Sequence, residues 1–316
     1  MRKVSLLWVT LLAACTQEAP PGDGQPALPV VLYAAYQDGD YLPTLLSEFT
    51  RDTGNLVIVR NGAVPGIIDD VLQDRVVPPA DLLLTPSVSG AWRAAEEGQL
   101  RPNYSPVVAG VASWLRDPDN YWVALSYRTA TVVYSPELFS PIDFASYEDL
   151  ADAKYRRKLC LSTSALAVNR SVLAMLLQKL GKRETELSVR SWVANLALPP
   201  FDTEENLLLA LESGECALAI VSSDVARLAS NSRLQVHTPL DVYSNIEALG
   251  ITRHARNPDG AAALVDWLLD PDVQRRHAAH VSSFAVTGDV QDRHNVGAVA
   301  SGEEEARLLA ERARYH

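Results

Sequence analysis

The sequence predicts an α/β fold built on a largely parallel sheet, and three observations point there. Short apolar runs rich in β-forming residues alternate with amphipathic helical stretches along most of the chain. With 316 residues, at roughly 150 per domain, there is room for about two domains and sizeable cores. Apolar residues make up 47% and charged residues 21%, the balance of a globular chain rather than a disordered or fibrous one.

The elements follow in order. Residues 30–33 are a first strand. Leu42, Leu45, Leu46 and Phe49 recur at i, i+3, i+4, i+7 and predict a helix, with Gly54 placed to end it. Residues 56–59 are a strand, 67–72 a short helix, 80–84 a strand, and 92–97 a helix that stops at Gly98. Residues 130–134 and 158–161 are strands, and 171–180 is a helix ended by Gly181. Residues 190–196 and 206–211 read as helical, 217–222 and 248–252 as strands. Asn257-Pro258 supplies the N-cap and first position of a helix to Leu269, and Asp270-Pro271 opens the next in the same way. Ser301 with Glu304 reads as a capping box for a final short helix.

The N-terminus reads as an address. Met1-Arg2-Lys3 is basic, residues 4–12 are mostly apolar, and the run is too short to span a ~30 Å hydrocarbon layer. It ends in Leu12-Ala13-Ala14-Cys15, which resembles the bacterial lipobox. Residues 1–14 are therefore expected to be a lipoprotein signal peptide, with Cys15 lipidated. Residues 15–29, rich in proline, form a flexible tether. This places the chain in the cell envelope, lipid-anchored on the periplasmic side. In that oxidising compartment Cys160 and Cys216 are expected to form a disulfide. The net charge of −11 argues against nucleic acid and anionic membrane surfaces, whose binding needs clustered Lys and Arg.

Catalytic signatures are absent: there is no G-x-S-x-G, Walker A, H-E-x-x-H or G-x-G-x-x-G motif, so the chain is read as a binder rather than an enzyme. His277 and His280 share a helical face at a spacing that suits a metal, but without a third ligand the pair reads as solvated. Arg156-Arg157-Lys158 reads as a solvated turn before a strand.

Residues 31–54 (VLYAAYQDGDYLPTLLSEFTRDTG) are similar to the opening of periplasmic solute-binding proteins of the ferric-iron ABC-importer type. Further matches follow in order: Ala80 to Thr85; Trp92-Arg93-Ala94 with Glu97-Gly98; Thr131 to Tyr134; Ser146 to Ala151; Gly214 to Val221; Gly250-Ile251-Thr252, His254-Ala255 and Asn257-Pro258. The resemblance covers roughly residues 30–290. It implies a two-lobed, type II Venus-flytrap fold, with two crossover strands passing near Arg128 and Asn245. Lobe one is then 30–127 plus 245–290, lobe two 128–244, and 291–316 an extension packed on the outside. Ferric members resembling this chain carry adjacent tyrosines after the strand matching residues 217–221. Here the place reads Ser222-Ser223-Asp224, and both tyrosines are missing.

The candidate ligand residues are Tyr33, Tyr36 and Asp38 in the first-lobe loop and Ser222, Ser223 and Asp224 in the second. To these the strand ends, where open α/β sheets place ligands, add Thr85, Ser87, Arg128, Ser162, Ser164, Asn169, Asn245 and Glu247. If a metal is held, Tyr36 and Asp224 are its ligands. No cofactor is expected, and Fe(III) enters as a transported ligand. The implied partners are an ABC permease in the membrane and a small-molecule or metal ligand, with the protein a monomer. The resemblance thus implies a lipid-anchored binding protein of an iron-type importer. Two alternatives stay open: a receptor for a small organic or anionic solute such as a phosphonate, and an accessory or sensory lipoprotein of the same fold.

Overall fold

Leu42, Leu45, Leu46 and Phe49 form the buried face of the first helix, as their spacing requires. That helix ends at Thr53, and Gly54 follows with φ +75°, a conformation open to glycine at no steric cost. The computed structural model describes residues 28–34, 41–61, 66–229, 233–239, 243–287 and 296–316. The expected signal segment, Cys15, most of the tether, Tyr36 and Asp38 lie outside the described residues.

In chain order the first unit is β1 (Val30–Ala34), α1 (Tyr41–Thr53), β2 (Val57–Asn61), α2 (Gly66–Leu72), β3 (Leu82–Thr85) and α3 (Val88–Glu96). Then come β4 (Leu100–Arg101), α4 (Pro106–Ala109) and the long strand β5 (Val123–Tyr134). The second unit holds β6 (Leu159–Cys160), α5 (Ala167–Asn195), α6 (Glu204–Glu212), β7 (Leu218–Ser222), α7 (Ser223–Leu228) and β8 (Gln235–His237). The chain returns through β9 (Ser244–Thr252), α8 (Pro258–Leu268), α9 (Pro271–His280) and β10 (Phe284–Ala285), and finishes with α10 (Val296–Ser301) and α11 (Glu303–Ala313).

The sheet is mixed rather than largely parallel. Its main path runs β2-β1-β3-β9-β5-β7-β6. The pairs β1–β2, β1–β3 and β6–β7 are parallel, as βα units require. The antiparallel pairs all involve β5 or β9, the two strands that pass between the lobes in opposite directions. β5 does both jobs: Val123 to Thr129 pair with β9, and Ala130 to Tyr134 pair with β7. Arg128 stands opposite Asn245 in that register.

Two lobes result, each with its own core. One is gathered from residues 30–127 and 246–286, with Ala300 added from α10. The other joins residues 130–243 to Val299, Ala306, Leu309, Ala310, Ala313 and Tyr315. A smaller cluster within the second lobe contains the disulfide Cys160–Cys216, whose Cα atoms are 5.9 Å apart.

The helix expected to end at Gly181 does so: Gly181 (φ 77°, ψ 170°) leaves helical space and divides the run 167–195 into two helices. Two local expectations need correction. The final helix is not opened by a Ser301–Glu304 capping box: Ser301 ends α10, and Gly302 is the N-cap of α11 without a side-chain hydrogen bond. Nor is the C-terminal segment an appendage, since Tyr315 is completely buried. The Asn257 and Asp270 caps form as read: Asn257 accepts from the Gly260 N–H, and Asp270 from those of Asp272 and Val273. Among the described residues no helix is long and apolar enough to cross a membrane.

Candidate functional site

A cavity of about 260 Å³ opens where β5 and β9 cross between the lobes. Pro86 lines it from the first lobe. Arg128, Thr129 and Ala130 come from β5, and Tyr243 and Asn245 from the start of β9. The second lobe adds Leu166, Ala167 and Val168 at the start of α5, with Glu204, Ser222 and Asp224. Ligand sites in α/β proteins favour such crevices at strand ends.

Charge is distributed unevenly around it. Arg128 Nε lies 3.0 Å from Asp224 Oδ2, so the guanidinium and one carboxylate oxygen face each other across the cavity. Asp224 Oδ1 is buried without a partner among the described residues. Arg128 also directs Nη2 at the Val281 carbonyl, 3.5 Å away on the first lobe. Glu204 receives the Ser222 N–H at 2.5 Å and the Ser222 hydroxyl at 2.9 Å. Burial pushes its carboxyl up to about 7 against those two bonds, and nearby Asp224 pushes the same way. Ala167 and Val168 in the first turn of α5, whose N–H groups have no intrahelical partner, line the wall, and the N-cap Leu166 offers no side-chain acceptor. Tyr243 is buried, and burial raises its phenol above the ordinary value, so it presents a neutral ring to the cavity.

The candidates divide into two groups. Arg128, Ser222, Asp224 and Asn245 line the cavity. Ser223 sits just behind it, its hydroxyl accepting from the Thr129 N–H at 3.2 Å and tying α7 to the crossing strand. The other described candidates hydrogen-bond within the scaffold, while Tyr36 and Asp38 lie outside the described residues. Tyr33 donates to the Pro78 carbonyl at 3.0 Å, and burial raises its pKa. Thr85 donates to the Ser87 carbonyl at 2.8 Å, and the Ser87 hydroxyl pairs with that of Ser89 at 2.7 Å. Asn169 donates to the Ser162 hydroxyl at 2.7 Å and to its carbonyl at 2.9 Å. Ser164 donates to the Tyr315 carbonyl at 2.9 Å.

Glu247 departs furthest from its expected place. It is 2% exposed, accepts from Ser126 Oγ at 2.8 Å and lies 3.1 Å from His277 Nε2. Burial opposes its charge, yet the His277 contact, the Arg128 charge and the Ser126 bond together hold the carboxyl below its ordinary range. The expectation that His277 is solvated fails for the same reason: it is buried, paired with Glu247 and within 3.3 Å of the Tyr41 hydroxyl. His280 instead stacks on the Tyr41 ring, centroids 3.6 Å apart. Among the described residues no group of three or more His, Cys, Asp or Glu side chains converges as a metal site.

Sequence reasoning missed Glu204, Tyr243, Pro86 and the start of α5. Thr203-Glu204 carried a signal, an N-cap followed by acid in a first helical turn, but that pattern ordinarily marks solvated carboxylates.

Residues 31–280 match the family of bacterial extracellular solute-binding proteins. Iron uptake protein A1 of Synechocystis is 27% identical over 261 residues, covering 78% of this chain and 72% of the relative. A putative 2-aminoethylphosphonate-binding periplasmic protein of Salmonella typhi is 23% identical over 306 residues, covering 93% and 89%. A Trichodesmium protein solved in complex with iron and citrate superposes with a TM-score of 0.82 at 24% identity, covering 91% of this chain and 99% of that one.

Proposed function

Because the chain belongs to the family of bacterial extracellular solute-binding proteins, we propose that it captures ligand for an ABC importer of the iron(III) branch. In this reading it is tethered through Cys15 and delivers its ligand to a membrane permease. The observation that carries the reading is the interlobe cavity with Asp224 and Glu204 on one wall and the crossing strands at its back. Closure of the lobes buries a ligand between groups that are apart when the cleft is open.

Fe³⁺ is a hard cation and favours anionic oxygen donors. Asp224 offers an unpartnered oxygen and Glu204 a carboxyl that a cation would deprotonate. Tyr36 and Asp38, in the segment joining β1 to α1, complete the proposed set from the first lobe. Tyr243 remains a neutral phenol, of little use to the metal unless its proton is displaced.

A second reading rests on Arg128 and the open N–H groups of α5, which suit a phosphonate, while Asp224 and Glu204 suit an ammonium group. Titration of the mature protein with ferric citrate and, separately, with 2-aminoethylphosphonate distinguishes them. The iron reading expects ferric citrate to bind and Asp224→Asn to weaken it at least about tenfold, or 1.4 kcal/mol. Binding of the aminophosphonate alone selects the second reading. Binding of neither removes both of these ligands and leaves another small organic or anionic solute, or an accessory lipoprotein. Cys15→Ser is expected to release the protein from membranes, which fractionation reads directly.

A further inference from the structure

Arg314 and Tyr315, just beyond α11, pack behind the loop that enters the cleft wall. Arg314 adopts φ +61°, a left-handed conformation that disfavours residues other than glycine, and thereby closes α11. The turn sends the next residue inward: the Tyr315 N–H returns to the Ala310 carbonyl at 2.9 Å, and the side chain is fully buried. Its hydroxyl donates to the Ser162 carbonyl at 2.7 Å, and its own carbonyl accepts from Ser164 Oγ at 2.9 Å. Both partners belong to one loop, residues 162–166, between β6 and α5.

That loop leads straight into the cavity wall, because Leu166, Ala167 and Val168 line the cavity. The loop has other ties: Thr163 N–H donates to the Phe201 carbonyl at 2.8 Å, and Asn169 holds the Ser162 carbonyl from the helix side. Tyr315 adds the grip from behind, on the same Ser162 carbonyl. Its phenol is buried near Glu204, and burial pushes its pKa well above the ordinary value, so the hydroxyl stays a donor. The helix that carries it is fixed in turn, with Glu303 3.4 Å from Arg170 and 3.5 Å from Ser171 on α5.

We propose that Tyr315 is a positioning residue of the ligand cleft, holding loop 162–166 so that the start of α5 presents its backbone N–H groups to the bound ligand. The inference rests on the cleft being the ligand site, but its first test needs no ligand. Hydrogen exchange is measured on the full mature protein, wild type and Tyr315→Phe. The hydrogen-bonded amides of Thr163 and Leu166 are expected to exchange about fivefold faster, the factor one net hydrogen bond is worth, while β1 and α8 stay unchanged. Unchanged exchange at Thr163 and Leu166, or an equal rise throughout the second lobe, overturns the proposal; the latter result makes Tyr315 a stability element only.

Ferric citrate affinity is read on the same pair and is expected to fall about fivefold, with the melting temperature lowered by no more than a few degrees. Equal affinities with a loosened loop also overturn the proposal. If wild type binds no ferric citrate, that failure belongs to the iron reading, and the exchange result decides this one. Should Tyr315→Phe misfold, Ser164→Ala removes the other bond and serves the same two measurements.

Discussion

Two carboxylates, one fully buried behind the cleft and one partly buried in its wall, behave oppositely. Glu247 on β9 is held below its ordinary range, while Glu204 at the start of α6 is pushed up to about 7. Burial acts on both in the same direction. The difference lies in what faces them. Glu247 has the His277 imidazole, the Arg128 charge and a serine hydroxyl. Glu204 has two bonds from Ser222 but a like charge, Asp224, as its electrostatic neighbour. An interior carboxylate is therefore structural when a counter-charge is built in beside it, and available for proton or ligand exchange when none is.

The largest expected effect tests the first half of that contrast. His277→Ala leaves Glu247 buried without its imidazole partner and is expected to cost about 3–5 kcal/mol in urea denaturation. A loss below about 1 kcal/mol means the pair holds nothing together.

Glu204 comes next. Its folded pKa lies above the ordinary 4.5, so the folded state binds the proton more tightly than the unfolded state. The stability this confers is full below about pH 4.5 and is lost as pH rises through 7, by about 3 kcal/mol in all. Glu204→Gln is expected to abolish that decline, and denaturation of both proteins at pH 5 and pH 8 reads it. Glu247 runs the other way. Its contribution is present above pH 4.5 and is lost as pH falls below it, so Glu247→Gln alters only the acid limb. Matching pH profiles for the two glutamine variants break the comparison. The smallest effect is that of Ser126→Ala, about 1 kcal/mol for one hydrogen bond to a carboxylate that keeps its imidazole.

Local periodicity and capping were readable from the sequence because their causes are local. The α1 stripe, Gly54, and the Asn257 and Asp270 caps each involve residues within one or two turns. The full length of β5 was not, since Ser126, Tyr127 and Arg128 break its apolar run just where it crosses between lobes. Arg128, Asp224 and Asn245 could be found as polar residues at strand ends. Glu247 was expected in the cleft and Glu204 was missed for one reason. Their surroundings are set by residues far along the chain: His277 stands 30 positions from Glu247, and Ser222 stands 18 from Glu204. Burial of a charged residue is a tertiary fact, and helix-start acids and strand-end acids look alike in one dimension.

The position of β9 bears on how the molecule comes to exist. It lies between β3 and β5, yet it is made after both. A chain that has emerged only as far as residue 243 carries two strand edges facing an empty lane, and its second lobe still lacks the tyrosine at position 315. Contacts so distant in sequence form slowly, because loop closure must precede them. Synthesis and assembly thus run out of step: neither half can be finished early and set aside. The lane between β3 and β5 and the last side chains of the second core are filled by segments made after the elements they join.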